Sequence, residues 1–407
     1  MKSVDEQLAR VLTAAVRPVP VRVAISEAQG LLCAEEVTAD RALPDFDQAA
    51  VDGYAVRSVD VQSAAQESVA LPVVGETPAG ARQARRLQPA QAVHVEASAP
   101  LPTLADAVVP VAYTEEQSGK VVVRQPVPSG AFVRRAGEDV QPGDVAVHRG
   151  MPIGPAQLAM LAAIGRSQVL VHPRPRVSII SVGEELVDLN ERPGTGQTYD
   201  VNSYALAAAA REAGAEVTRV GIVPTDSRRL REVVEGRLLL SEVVVIAGGA
   251  GGAAGERVRA ALAELGRLEI TRVAMHPGSV QGFGRLGPDQ VPTFILPSSP
   301  VSALVVFEVF VRPLIRFALG KTNPHRRTVT ASTLSPISST KGRRGFLRGQ
   351  LLRDPDTETF LVQPLGDSES HLLAPLVEAN CLIVVDEDIT DIPVGEDVPV
   401  RFLSQRS

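Results

Sequence analysis

The sequence predicts a multidomain α/β plus β protein: a doubly wound α/β domain flanked by a helical N-terminal piece, a small β domain and a C-terminal β-barrel. Three observations carry this. Residues 174 to 320 alternate apolar β-branched runs with helix-period segments. Residues 40 to 135 consist of short β-branched runs separated by Pro and Gly, and residues 328 to 407 return to that pattern. A length of 407 residues gives material for several cores.

The elements follow in chain order. Val4, Leu8, Val11 and Leu12 recur at helix spacing, and "SEAQGLLCAEEV" reads as a second short helix. "LPVVGET", "AVHVEA", "DAVVPV" and "KVVVRQPV" are strands of the small β domain. "PIGPAQLAMLAAIG" is a helix with Pro near its start and Gly165 at its end. "RVSIISVG" is a strand, "SYALAAAAREAG" a helix stopped by Gly214, and "AEVTRVGIV" a strand. "DSRRLREVVEGRL" is a helix capped by Asp226 or Ser227. "SEVVVIAGG", "ERVRAALAELG" and "TFILP" continue as strand, helix and strand before the long helix "PVSALVVFEVFVRPLIRFALG". "MHPGSVQGFG" reads as a glycine-rich connection. "RTVTAST", "FLRGQLL", "FLVQPL", "CLIVVD" and "DVPVRFL" form the C-terminal β domain. The boundaries expected are 1–40 with 136–173 (helical), 41–135 (β), 174–325 (α/β) and 326–407 (β-barrel).

Composition narrows the function classes. A net charge of −6 argues against general nucleic-acid binding. The most apolar helix is interrupted by Glu308, Arg312, Pro313 and Arg316, which speaks against membrane insertion. Cys33 and Cys381 lie far apart in apolar segments, as buried thiols of a reducing compartment do, and the N-terminus lacks a signal-peptide pattern. A cytoplasmic location is expected. Lysine occurs only at positions 2, 120, 321 and 341, so arginine is expected wherever a site needs a generic positive charge.

The turn in "VVVIAGGAGGAAGERV", residues 243 to 258, lies where a parallel sheet seats an anion, at a strand end that opens into a helix N-terminus. It lacks the Gly-Lys-Ser/Thr of a P-loop, and its own side chains read as those of a close-packing turn. Other polar concentrations are Asp45, Asp47 and Asp52 in "LPDFDQAAVDGYAVR", and Glu138 and Asp139 in "RRAGEDVQPGD". "SVGEEL", "TYDVNSY" and "ILPSSPVSAL" add further acids, Asn202 and serines. Carboxylates on loops also suit Mg²⁺, a hard cation.

Taken in order, these blocks resemble the MoeA and gephyrin E-domain family of molybdenum-cofactor biosynthesis. "FDQAAVDGYAVR" is similar to that family's FDNSAMDGYA block. "GEDV", "SIISVGEEL", "GQTYDVNSYALAAAAREAGAEVTRVGIVPTD", "VVVIAGG", "VAMHPG", "LPSSPVSALVVFEVFVRP" and "LVEANCLIVV" follow in family order. The resemblance implies an elongated homodimer whose α/β domain is MogA-like. It also implies an active site that inserts molybdate into adenylylated molybdopterin with Mg²⁺ and releases AMP. Carried over residue by residue, it assigns Asp52, Glu138, Asp139, Glu185 and Asp226 to catalysis, with Asp52 and Glu185 at the metal. It assigns Gly248, Gly249, Asp200, Asn202, His276, Ser279, Ser298, Ser299 and Ser302 to the pterin and its phosphate.

Several family positions differ. In the glycine turn Ala247 and Gly251 stand for serines and Ala254 for an acid, while Glu256 keeps the second acid. His276 and Ser279 stand where the family has lysines, and Ser298-Ser299 where it has Gly-Asn. Val182, Ala97-Ser98 and Phe132 replace further polar or glycine positions. The expectation is a degenerate site with weak or lost activity. The alternative is a gephyrin-like scaffold binding the peptide tail of a partner, such as the cell-division protein FtsZ or a membrane receptor.

Overall fold

The computed structural model describes residues 1–321, 323–366 and 372–403 and divides into two compact units. One is Arg22–Val171; the other joins Met1–Val21 to His172–Ser407.

Within the first unit, Pro155 opens the helix Pro155–Ala163, where its missing N–H costs nothing. Leu161 of this helix packs with Cys33, Val37, Ile153, Val169 and neighbours. The strands Val21–Ala24, Gln168–His172 and Leu32–Cys33 form a three-stranded sheet at this core. The helix expected in "SEAQGLLCAEEV" does not form. A single 3₁₀ turn, Ile25–Glu27, gives way at Gly30, whose φ of 80° leaves the helical region, and Leu32–Cys33 joins the sheet. Sheet pairing overrides local helix propensity here. A six-stranded sheet forms the expected β domain, with Gly53–Val56 between Ala107–Pro110 and Ala92–Val95.

The second unit is built on a six-stranded sheet. Four strands run parallel in the order Glu216–Val223, Arg176–Val182, Val243–Ala247, Val291–Leu296. Their side chains alternate between two cores. Val177, Ile179, Val243 and Val245 face the helices Asn202–Ala213 and Pro300–Val306. Ile180, Val182, Val244 and Ile246 face Ser227–Leu238 and Gly252–Leu262. Burial on both faces explains why Val243–Ala247 and Val291–Leu296 read as nearly continuous apolar runs. Val4 and Val11 of the helix Val4–Leu12, which begins with a Ser3/Glu6 capping box, lie in the first of these cores.

The glycine-rich connection is instead a strand. Val280–Leu286 pairs antiparallel with both Gly266–Arg272 and Val291–Leu296. Gly282 and Gly284 are required there: a Cβ would lie 2.9 Å from Ile295 Cβ and 2.2 Å from the Arg267 carbonyl oxygen. After the sheet, Arg344–Arg353, Phe360–Pro364, Thr328–Thr333, Asp397–Phe402 and Cys381–Val385 close into a five-stranded barrel. Cys33 and Cys381 are both buried free thiols. No helix among the described residues is long and apolar enough to cross a membrane.

Candidate functional site

The site lies at the carboxyl ends of the parallel strands, where strand-to-helix turns meet. The turn after Val243–Ala247 is fixed by its glycines. Gly248 has φ 94°, and a Cβ there would fall 2.2 Å from the Val182 carbonyl oxygen. Gly249 has φ 70°, and a Cβ would meet Val258 Cγ2 at 2.6 Å. Both glycines therefore serve close packing of turn, strand and helix. Gly251 is the N-cap of the helix Gly252–Leu262 and offers no side-chain cap. The first-turn N–H groups of that helix are left to solvent or a ligand.

These N–H groups open on a cavity of about 380 Å³. Glu184, Glu185, Thr225, Gly249, Arg257 and Ser298 are among its walls. Glu184 is held in place: its Oε1 accepts from the Thr225 amide at 2.8 Å and hydroxyl at 2.5 Å. Those two bonds, with the Arg257 charge nearby, keep its carboxyl below the ordinary value. Glu185 makes no side-chain hydrogen bond or ion pair among the described residues, and its carboxylate folds back over Gly183. The cavity thus joins an anion-attracting helix terminus and a guanidinium to an unspent carboxylate. Such a set suits a phosphate or other oxyanion at one end and a hard cation at the other.

The expected site residues fall into three groups. Glu185, Gly249 and Ser298 line this cavity together. A second group supports its walls. Buried Asp200 accepts from Ser181 Oγ at 2.7 Å, Ser203 N at 3.0 Å and Ser203 Oγ at 2.5 Å. Asn202 Nδ2 donates to the Ser298 carbonyl at 2.8 Å, which anchors the serine loop, and its Oδ1 is buried without a partner. Asp226 caps the helix Ser227–Leu238 through the Arg229 amide at 2.8 Å. Gly248 packs beneath the turn, Ser302 is buried in its helix, and the half-buried Ser299 has an unpartnered hydroxyl oxygen. His276 and Ser279 flank the cis bond to Pro277, His276 in a short strand paired with Arg344–Arg353. Glu256 is directed elsewhere, into an ion pair with Arg259.

The third group belongs to the unit Arg22–Val171. Asp52 precedes the strand Gly53–Val56, and its Oδ1 accepts from the Ala97 amide at 2.7 Å. Glu138 accepts from the Arg135 amide at 2.8 Å, and Asp139 is exposed. Asp47 accepts from Ala136 N and Arg135 Nη1 in the same loop cluster, which holds its carboxyl below the ordinary range. Among the described residues no group of three or more His, Cys, Asp or Glu side chains is arranged to hold a metal by itself.

Sequence reasoning missed Arg257, Glu184 and Thr225 as walls of the cavity. The signal for Arg257 was present. With so few lysines an arginine was expected at any site needing charge, and Arg257 stands six residues beyond the N-cap on the helix that opens at the turn.

Comparison with known proteins agrees with this architecture. Residues 2–165 match the MoeA N-terminal region (domain I and II), residues 178–316 a probable molybdopterin binding domain, and residues 330–403 the MoeA C-terminal region (domain IV). The chain is 61% identical, over all of both chains, to molybdopterin molybdenumtransferase 1 of Mycobacterium tuberculosis. It is 37% identical to molybdopterin molybdenumtransferase 2 of that organism, over 99% of this chain and all of that one. A crystal structure of the molybdopterin biosynthesis MoeA protein of Pyrococcus horikoshii superposes with a TM-score of 0.84 at 29% identity, covering 99% of each chain. With matching models in order along its length and these relatives covering it end to end, the chain belongs to the MoeA family.

Proposed function

We propose that this chain acts in molybdenum-cofactor biosynthesis as a slow molybdopterin molybdenumtransferase, inserting molybdate into adenylylated molybdopterin and releasing AMP. The observation that carries the reading is the uncapped helix at Gly251, which opens on a cavity shared with Arg257 and the unspent Glu185 carboxylate. The names of the relatives, molybdopterin molybdenumtransferases, point the same way.

In this reading the first-turn amides of Gly252–Leu262 and the Arg257 guanidinium hold a phosphate of the substrate. Glu185 supplies a carboxylate for Mg²⁺, which when bound neutralises phosphate charge at the bond that breaks. Asp226 and Asp200 act as positioning residues through the helix and the serines they hold. Ser298, on a loop tied down by Asn202, is placed to donate to the ligand. Slow turnover follows from His276 and Ser279, which stand where the family resemblance places lysines and so remove two ammonium groups. Each missing charge-assisted contact costs about 1.5–3 kcal/mol.

A cytoplasmic homodimer is part of this reading, and light scattering on the purified protein tests the dimer. Titration with adenylylated molybdopterin, molybdate and Mg²⁺, scoring AMP release, tests the activity. A chain that binds none of that substrate at concentrations saturating a two-lysine relative would instead serve as a scaffold for a partner's peptide tail.

A further inference from the structure

A second cavity, of about 1090 Å³, lies beside the last turns of the helices Asn202–Ala213 and Arg312–Ala318, at Glu212 and Arg316. Strands of the barrel complete it through Thr328, Arg401 and Phe402. Its walls carry five arginines, at positions 312, 316, 326, 327 and 401, together with His325.

Asp5 and Glu212 stand in the cavity wall and Glu308 beside it, and each of the three is paired with an arginine. Glu308 accepts two hydrogen bonds from Arg326, each 3.0 Å, and lies 3.7 Å from Arg312. Glu212 takes the remaining Arg326 contact at 2.8 Å. Asp5 is paired through both oxygens with Arg344, at 2.9 and 3.0 Å. Arg316, Arg327 and Arg401 have no ion pair among the described residues. Arg312 is 92% buried, and its Nε and that of Arg316 have no hydrogen-bond partner. Arg316 and Arg401 are half-buried, and holding their charge there without an ion pair is costly unless an anion compensates it.

Two further observations show that the arrangement is built. The long helix contains a π-helical turn, Phe307–Val311, immediately before Arg312, and such turns concentrate at functional sites. Arg312 donates to the Pro324 carbonyl at 3.1 Å, which fixes the loop bearing His325 and Arg326 against the helix. Burial and the Arg326 charge push Arg312 down to about 10, and burial with the Arg316 charge lowers Lys321.

We propose that this arginine cavity binds a multiply charged oxyanion, either free or as the phosphate group of a small metabolite. Arg316, Arg327 and Arg401 are the residues that contact it, on a floor formed by Arg312.

The test is calorimetric titration of the full chain at low salt with inorganic pyrophosphate and, separately, ADP. Each is run in the native sequence and on an Arg257→Gln background, which weakens the contribution of the first cavity. Saturable binding that persists on that background is expected. It should weaken at least about tenfold in the Arg316→Gln/Arg401→Gln double variant. Arg327 is exposed, so Arg327→Gln keeps the fold and should weaken binding severalfold. Tighter binding of ADP than of pyrophosphate identifies a metabolite phosphate, and the reverse identifies a free oxyanion. Absence of saturable binding, or binding that the arginine variants leave unchanged, overturns the proposal. Because Arg257 lies outside this cavity, either result is independent of AMP release at the first.

Discussion

Replacing Gly248 with Ala tests why the glycine turn has its present form. A non-glycine residue at φ 94° costs about 1–2 kcal/mol. The added Cβ would lie 2.2 Å from the Val182 carbonyl oxygen, a backbone atom that cannot swing away. Relieving that clash by backbone shifts costs about 1–3 kcal/mol more. Reduced freedom of the unfolded chain returns about 0.4–1 kcal/mol. The net loss is about 2–4 kcal/mol. Gly251→Ala is the matched control: its φ of −149° is ordinary extended backbone, and a Cβ would sit 3.7 Å from Val280 Cγ1, a normal contact. The assay is amide hydrogen exchange of the strand Val243–Ala247, read by mass spectrometry. Gly248→Ala should accelerate exchange there by about two orders of magnitude, and Gly251→Ala should leave it near the native rate. Equal exchange in the two variants would refute the packing explanation of this turn.

The other expectations can be tested with equally simple measurements. Arg257→Gln should weaken binding of adenylylated molybdopterin by about five- to tenfold, a magnitude reduced by the exposure of the guanidinium, with the melting temperature unchanged; an unaltered affinity would remove Arg257 from the site. Asp200→Asn should destabilise the α/β unit by about 2–4 kcal/mol, because three donors lose a buried carboxylate, and a denaturation midpoint at the native value would contradict this. Hydrogen bonds from Arg344 lower the Asp5 carboxyl, and those from Lys2 with the Arg10 charge lower Glu269. Their stabilisation is complete above the ordinary carboxylate range and lost as pH falls through the lowered values. The melting temperature should therefore drop between about pH 5 and pH 3, and less so in Glu269→Gln; identical pH profiles would show that these pairs contribute nothing. Burial raises both thiols, Cys381 to about 12, so alkylation by iodoacetamide at pH 8 should await unfolding; rapid labelling of the native chain would place a thiol at the surface.

The sheet was legible because its chemistry is local. Val243–Ala247 is apolar on both faces, and Gly214, at φ 103°, closes its helix as a C-cap glycine should. Asp226 was readable as a cap for the same reason. The strand Val280–Leu286 was hidden because Gly282 and Gly284 look like loop residues until the neighbouring backbones that exclude a Cβ are known. The helix expected around Gln29 failed because strand pairing of Leu32–Cys33 depends on residues more than a hundred positions away. At the site, Glu185 and Ser298 were visible in motifs. Arg257 and the Glu184–Thr225 contact were not, because the helix that starts at Gly252 and the strand that ends at Val223 set their positions.

The most direct measurement is AMP release from adenylylated molybdopterin by the purified chain, with molybdate and Mg²⁺, for the native sequence and Arg257→Gln. The expected result is slow but molybdate-dependent release, reduced about five- to tenfold in kcat/KM by the substitution. No binding and no release at concentrations that saturate a relative carrying both lysines would contradict the assignment of this cavity to molybdopterin.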